Sequence, residues 1–445
     1  MLCLDGWAIR TQAATLGARW RNDPPTPCRC TAVTDAIADP SRELGVDAAI
    51  RPAHVNLALL ALAVGGFAIG TTEFVTMGLL PEVAEGVGID IPTAGHVVSA
   101  YAAGVVVGAP VLATLGSRMP RKRLLLWLMG AFAVANVLSA FATSYGLLMV
   151  ARFLSGLPHG AYFGVGSLVA ASLVPAHRRT WAVSMMITGL TVANIVGVPV
   201  TTRIGQSYGW QWPYAAVGVI ALLTVLAVWR WVPYCPPDGG VSMASELSAL
   251  KRPQVWLALG IGTVGFGGMF ATFSYISPTM TELGGFGRAT IPLILALYGV
   301  GMTVGALLSG PVSRIGLLRA INASLVTIAV MLFLFGPAVK ASMATALAAV
   351  FLLGLLPSVL VPMLQTRLMD VAHEGQALAA ALNHSTLNIA NALGAWLGSI
   401  VLSAGLGYEW PSRVGGILAV AGIGIAIWSA LLQRSTRRTP QTQPA

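Results

Sequence analysis

The sequence predicts an all-α polytopic membrane protein whose twelve transmembrane helices form two six-helix pseudo-repeats. Three observations carry that expectation. The 445 residues are 56% hydrophobic and only 9% charged, with a mean hydropathy of +0.76. A water-soluble fold cannot bury so much apolar surface with so few charges left to face water. Apolar runs long enough to cross about 30 Å of hydrocarbon recur twelve times, and the second half of the chain echoes the first at a fixed spacing.

In chain order the spans are expected near 57–80, 93–115, 123–143, 145–173, 180–203, 212–233, 255–277, 290–312, 317–337, 343–367, 376–404 and 412–433. Fifty glycines and twenty-six prolines suit helices that pack closely and kink inside a bilayer. Residues 1–50 hold no continuous apolar core, so no cleavable signal peptide is read there. They are rich in Arg, Asp and Thr without a sustained period, which points to disorder. No methionine falls between Met1 and Met77, and one reading starts translation at a non-AUG codon near Val55.

Loop charge sets the orientation. With the N-terminus inside, the inner loops hold twelve Lys and Arg, from Arg118 to Arg367, and the outer loops four: Arg203, Arg288, Lys340 and Arg413. Both termini are therefore expected on the cytoplasmic side, with the chain multi-pass in the membrane. The net charge of +10 lies mostly in such loops, as in "SRMPRKR" at 117–123, and forms no basic stripe interleaved with aromatics. Nucleic acid is not an expected partner. Cys3, Cys28, Cys30 and Cys235 lack a second ligand pair at metal spacing and read as free cytoplasmic thiols.

The repeat has an offset of about 197. "YAAGVVVGA" from Tyr101 pairs with "YGVGMTVGA" from Tyr298, and "TVANIVG" ending at Gly197 with "NIANALG" ending at Gly394. Gly209-Trp210 and Gly407-Tyr408 follow in register, each leading to a Trp-Pro. The domains are then a cytoplasmic tail (1–54), a six-helix bundle (55–233), a polar Pro/Gly-rich linker (234–253), a second bundle (254–433) and a tail (434–445). A parallel repeat places a substrate site between its halves.

These residues resemble the major facilitator superfamily. "LATLGSRMPRKR" is similar to the family's loop signature between spans 2 and 3, departing at Ser117, where Asp is usual, and Pro120, where Gly is usual. The resemblance implies a gating role for Arg118, Arg121 and Lys122. "LLMVARFLSGLPHGAYFG" resembles the span-4 signature with its buried arginine, here Arg152, and "TGLTVANIVGVPV" the span-5 antiporter signature. "TTEF", "IPTAGH", "SGLPHGAYFGVG" and "FSYISP" read like the arabinose-efflux-permease branch of the drug/sugar:proton antiporters. The likeness covers about 57–433.

Glu73 alone among sixteen acids, and Arg152 alone among twenty-six bases, falls well inside a span. Each lies seven residues, roughly 10 Å, below the outer surface. A lone charge in hydrocarbon costs several kcal/mol, so neither should face lipid. Burial favours a neutral carboxyl and a neighbouring guanidinium a charged one, so small rearrangements could move a proton on or off Glu73. The alternative is a permanent salt bridge locking spans 1 and 4.

His159, seven residues after Arg152 and beside Pro158, is either a second titrating group or a neutral hydrogen-bonded histidine. His384, Asn388 and Asn391 share one face of span 11, with Asn194 the repeat partner of Asn391. They could bind the hydroxyls of a sugar or other polar groups, or join helices to one another. Phe270, with Phe266 and Phe273, is a wall for an apolar or sugar ligand, or plain packing. Tyr101 completes the expected cavity. Gly189, Ala193 and Gly197 make a small-residue seam.

The expected function is efflux of a small polar or amphipathic solute, a sugar or a drug, by alternating access and proton antiport. A chloramphenicol-type antibiotic exporter is the alternative, and a transporter-fold membrane sensor the alternative of another class. No nucleotide-binding loop, metal motif or nucleophile–base pair is present in the spans, so no enzyme activity and no cofactor are expected. The expected partners are the substrate, protons and the lipid bilayer, with the protein a monomer.

Overall fold

The computed structural model describes residues 52–116, 119–175, 178–234, 251–372 and 376–438. The four cysteines, Arg118, nearly all of the two tails and most of the linker lie outside them. Among the described residues there are twelve long helices. They are α1 (Pro52–Gly78), α2 (Ile91–Gly116), α3 (Arg121–Ala140), α4 (Tyr145–Ser172), α5 (Trp181–Tyr208) and α6 (Gln211–Trp231) in the first half. The second half has α7 (Pro253–Phe273), α8 (Ile291–Ser313), α9 (Leu317–Ala341), α10 (Met343–Ala372), α11 (Gln376–Ser403) and α12 (Trp410–Arg438).

Eleven of these are apolar enough throughout to cross a membrane. The exception is α4, whose hydropathy is lowered by Arg152 and His159, and both of those side chains are buried inside the bundle. The outward surface is inverted relative to a soluble protein. Trp127 (71%), Phe141 (75%) and Leu307 (74%) are largely exposed, as helices solvated by lipid require.

The repeat is built into the packing. Helix α2 lies on α4 as α8 lies on α10, α1 on α5 as α7 on α11, and α3 on α6 as α9 on α12. Gly104, Gly108 and Gly156 sit where a Cβ would strike the carbonyls of Phe153, Leu157 and Tyr101. Gly301, Gly305 and Gly354 stand in the same relation to Phe351, Leu355 and Tyr298. Small residues let these backbones approach closely, which is how membrane helices gain van der Waals contact. The small-residue seam of α5 does the same within one half: Gly189 abuts the Ala63 carbonyl, and Gly197 abuts Phe67 and Thr71.

The helices are less regular than the sequence suggests. A π-helical turn interrupts α5 at Ala193–Gly197 and α7 at Ile261–Gly265. Just beyond α1 and α7 the chain breaks at equivalent places, with short helices Leu80–Val87 and Ile276–Pro278 continuing after each break. Despite Pro158, α4 is continuous from Tyr145 to Ser172. Helix α10 runs beyond the expected end at 367, so Arg367 is not a loop residue. It is buried within the helix, where its Nη2 donates to Gln254 Oε1 at 3.0 Å and Gln433 Oε1 at 3.2 Å.

The halves meet most extensively, among the described residues, where α2 packs on α11 and α5 on α8, contacts related by the repeat. Among the described residues, the hydrogen bonds between the halves cluster towards the end remote from Pro52 and Gln433, here called the far end. Arg288 Nη2 donates to Glu85 Oε1 at 2.8 Å, Gln206 Nε2 to the Arg288 carbonyl at 2.8 Å, and Ser99 Oγ to the Ala392 carbonyl at 3.1 Å. His96 Nε2 and Ser399 Oγ are 3.1 Å apart. The apolar core follows the same plan. Phe74, Met77, Leu80, Val98 and Val198 are continuous with the core of the second half at the far end. Towards the terminal end each half keeps a core of its own, around Leu62, Phe132 and Val169 in the first and Val255 and Leu368 in the second.

Candidate functional site

Midway along the first half, Arg152 is fully buried and its partners are local. Nη1 donates to Thr72 Oγ1 at 2.9 Å and, at 3.5 Å, to Ser155 Oγ, while Nη2 donates to the Thr72 carbonyl at 3.0 Å. The guanidinium carbon stands 4.4 Å from the Tyr101 ring centre and 5.1 Å from that of Tyr214. Behind Thr72, its own hydroxyl donates to Asn136 Oδ1 at 2.6 Å, and Asn136 Nδ2 to the Phe132 carbonyl at 2.9 Å. The direction of each bond is fixed by the next, because Thr72 can accept from Arg152 only while it donates to Asn136.

Glu73 is next along α1. Its side chain is 7% exposed and makes no hydrogen bond or ion pair among the described residues. Arg152, Tyr101 and Tyr298 all lie within electrostatic range of its carboxylate. Arg152 is near enough to act on this carboxylate, but no salt bridge joins the two. Arg152 is engaged by Thr72 instead.

The expected residues fall into one linked group and two outliers. Tyr101 OH and His159 Nδ1 are 3.0 Å apart, so His159 has a hydrogen-bonded place in the bundle. Its ring is 5.4 Å from Phe163, which stacks parallel on His384 of α11 at 5.9 Å. That stack crosses between the halves. Asn388 Nδ2 donates back to the His384 carbonyl at 3.0 Å, whereas Asn388 Oδ1 and both polar atoms of Asn391 are buried without partners. Asn194 is an outlier: its Nδ2 caps the Leu190 carbonyl at 3.0 Å inside the π turn, and its own carbonyl lies against Gly299 of α8. Phe270 is the other, packed edge-on to Phe266 at 5.6 Å in the core of the second half. In the first turn of α3, Lys122 Nζ donates to the Trp229 carbonyl at 2.8 Å, a contact within one half.

Several residues here carry no sign in a charge-based reading. Thr72, Asn136 and Tyr214 hold or flank Arg152. Tyr298 faces Glu73 from the second half and stacks on Phe273 at 3.8 Å. Its register with Tyr101 in the repeat is the one signal that could have found it.

The family model of the Major Facilitator Superfamily matches residues 62–287 and again 259–445. The chain belongs to this superfamily. It is 39% identical to the inner membrane transport protein YdhP of Escherichia coli (strain K12), over 87% of this chain and 98% of that one. It is 32% identical to a chloramphenicol resistance protein of Streptomyces lividans, covering 83% and 95%. With a probable sugar efflux transporter of Helicobacter pylori (strain P12) it shares 27% identity, covering 82% and 93%. Among solved structures, a D-xylose–proton symporter superposes with a TM-score of 0.65 at 17% identity, covering 84% of this chain and 97% of the other, a likeness of fold. As a superfamily member with these relatives, the chain is a multi-pass membrane transporter of small molecules.

Proposed function

We propose that the protein is a proton-coupled exporter of the bacterial inner membrane, with its termini in the cytoplasm and two domains, 55–233 and 254–433, rocking about the site between them. The observation that carries this reading is the unpaired, buried Glu73 beside an Arg152 already occupied by Thr72. A carboxyl group in that setting can hold a proton or a substrate group in turn. Arg152, close by but committed elsewhere, biases which form prevails.

With the termini inside, the far end is the outer face. The polar ties and continuous core there would have to part for a substrate to leave on that side. His159, hydrogen-bonded to Tyr101, links the proton site to His384 across the halves through the Phe163 stack. Gating would fall to Arg121 and Lys122, at the start of α3, and to Arg118, which lies outside the described residues. Inward proton flow supplies about 2.3 kcal/mol per charge per 100 mV of potential.

Sugar efflux is favoured by the Helicobacter relative and antibiotic efflux by the Streptomyces one. Uptake into proteoliposomes under an imposed pH gradient, with labelled sugars and chloramphenicol, tests the reading. Glu73→Gln should lower gradient-driven transport at least tenfold. Full proton-driven transport by that variant would sink the mechanism.

A further inference from the structure

The side chains of α11 divide cleanly by what they meet. At 3.6 residues per turn, one edge is packed on α7, where Gly394 meets the Gly267 carbonyl and Gly398 the Tyr275 ring. A second edge touches α2 through the Ala392 carbonyl and Ser399 Oγ. The outward side carries Ile389 (40% exposed), Trp396 (51%) and Ile400 (45%) and meets lipid. His384, Asn388 and Asn391 fall in the remaining sector, between the α7 edge and the α2 edge, and so look into the bundle.

Asn391 is 1% exposed, yet neither its Oδ1 nor its Nδ2 has a partner; Asn388 is 5% exposed and its Oδ1 is also unpaired. The ring nitrogens of His384 make no hydrogen bond among the described residues. Buried polar groups are nearly always satisfied, and an unsatisfied one is a cost unless something arrives to pair with it. The two asparagines, with the half-buried His384 on the same inward stripe about 10 Å long at 1.5 Å per residue, present unpaired donors and acceptors to the bundle interior.

The mixture of donors and acceptors selects the ligand's chemistry. Asn391 offers two N–H donors and an acceptor, Asn388 an acceptor, and His384 one of each. None is a fixed charge. An ammonium would satisfy the acceptors and leave the Asn391 N–H groups unpaired; a carboxylate would do the reverse. A hydroxyl both donates and accepts, and a carboxamide carries both functions side by side. We propose that His384, Asn388 and Asn391 form the substrate subsite, and that it takes an uncharged molecule bearing several hydroxyl or amide groups along one edge. This rests on the exporter reading and deepens it. The second half recognises the neutral polar edge, while Glu73 in the first half is left free for the proton.

The test is equilibrium binding to the full-length protein in nanodiscs without a pH gradient, so its outcome does not depend on antiport. Lactose and chloramphenicol serve as neutral probes, tetraphenylphosphonium as a cation and gluconate as an anion, each followed by intrinsic tryptophan fluorescence. At least one neutral probe should bind, more tightly than either ion. Its affinity should fall tenfold or more in Asn391→Leu and in Asn388→Leu, and hold within about twofold in Ile389→Leu, a change on the lipid-facing side of the same helix. Asn391→Asp keeps the shape but trades both donors for charge, and it should weaken neutral binding and strengthen tetraphenylphosphonium binding. Thermal melting verifies that each variant is folded, and Asn391→Asp carries the test alone should the leucine variants fail. Binding by neither neutral probe, preference for an ion, or unchanged neutral affinity in Asn391→Asp overturns the proposal. The Glu73→Gln transport assay stands or falls separately.

Discussion

Arg152 gives both terminal nitrogens to Thr72 and neither to Glu73, the very next residue on α1. A buried guanidinium must be compensated, because removing it from water costs several kcal/mol. Here the compensation comes from neutral groups: one hydroxyl, one carbonyl and the faces of Tyr101 and Tyr214. Cation–π contacts of this kind strengthen when water is excluded. The arrangement settles the arginine without consuming the carboxylate.

That dependence makes Thr72 and Asn136 energetically coupled. Thr72→Val removes the nearer of the two acceptors of Arg152 Nη1, leaving only Ser155 Oγ at 3.5 Å, and strands Asn136 Oδ1; Asn136→Leu strands the Thr72 hydroxyl proton. Each single change should cost about 1–3 kcal/mol, the usual penalty for a buried polar group left unpaired. The double variant should cost clearly less than the sum, by 0.5 kcal/mol or more for residues in one network. Thermal and denaturant stability of the purified variants in detergent supplies the cycle. Simple additivity would mean that the bond between them is energetically idle.

Gly104 and Gly301 allow a sharper comparison, since the repeat makes each a control for the other. A side chain at either would collide with a backbone carbonyl, of Phe153 or Phe351, which cannot swing aside as a side chain could. Gly104→Val and Gly301→Val should each destabilise by about 1–3 kcal/mol or more, as overpacked interiors do. Gly130 lies mid-helix in α3 with nothing within 4 Å of where its Cβ would stand. Gly130→Ala should be neutral or stabilise by roughly 0.5–1 kcal/mol through helix propensity. Melting temperatures by size-exclusion fluorescence would separate the two classes.

What was legible in the sequence divides along physical lines. The twelve helices were readable because apolar length is a local property, and even α4 was found from its apolar run despite Arg152. The repeat was readable because Tyr101/Tyr298 and Gly197/Gly394 keep their spacing. The neighbourhood of Glu73 and Arg152 could be inferred from equal depth. The way they interact could not, because Thr72 is an unremarkable threonine until the fold brings α4 against α1. Asn194 and Asn391 show the same limit. They are repeat partners in sequence, yet Asn194 Nδ2 is spent on its own helix's Leu190 carbonyl while both polar atoms of Asn391 stay open. The π turn at Ala193–Gly197 has no counterpart around Asn391, and no periodicity announces it.

At the far end, Glu409 ties α9 to the start of α12. Lys340 Nζ donates to Oε2 at 2.6 Å, and Arg413 Nη2 approaches Oε1 at 3.2 Å. The Lys340 hydrogen bond, reinforced by the Arg413 charge, holds this carboxyl below its ordinary value of 4.5. A carboxyl whose pKa is lower folded than unfolded contributes stability that is fully present above the unfolded value. That contribution drains away as pH falls through the lowered one. Wild type should therefore melt above Glu409→Gln at pH 7, by roughly 1–3 °C given how modest exposed ion pairs are. The gap should narrow as pH drops below 4.5 and close once Glu409 is protonated in the folded protein. High salt should shrink it at neutral pH as well, because half-exposed partners are screened. Melting curves of the two proteins from pH 3 to 8, at low and high ionic strength, measure both effects. A gap that stays constant across that range would show that the carboxylate contributes through packing and not through charge.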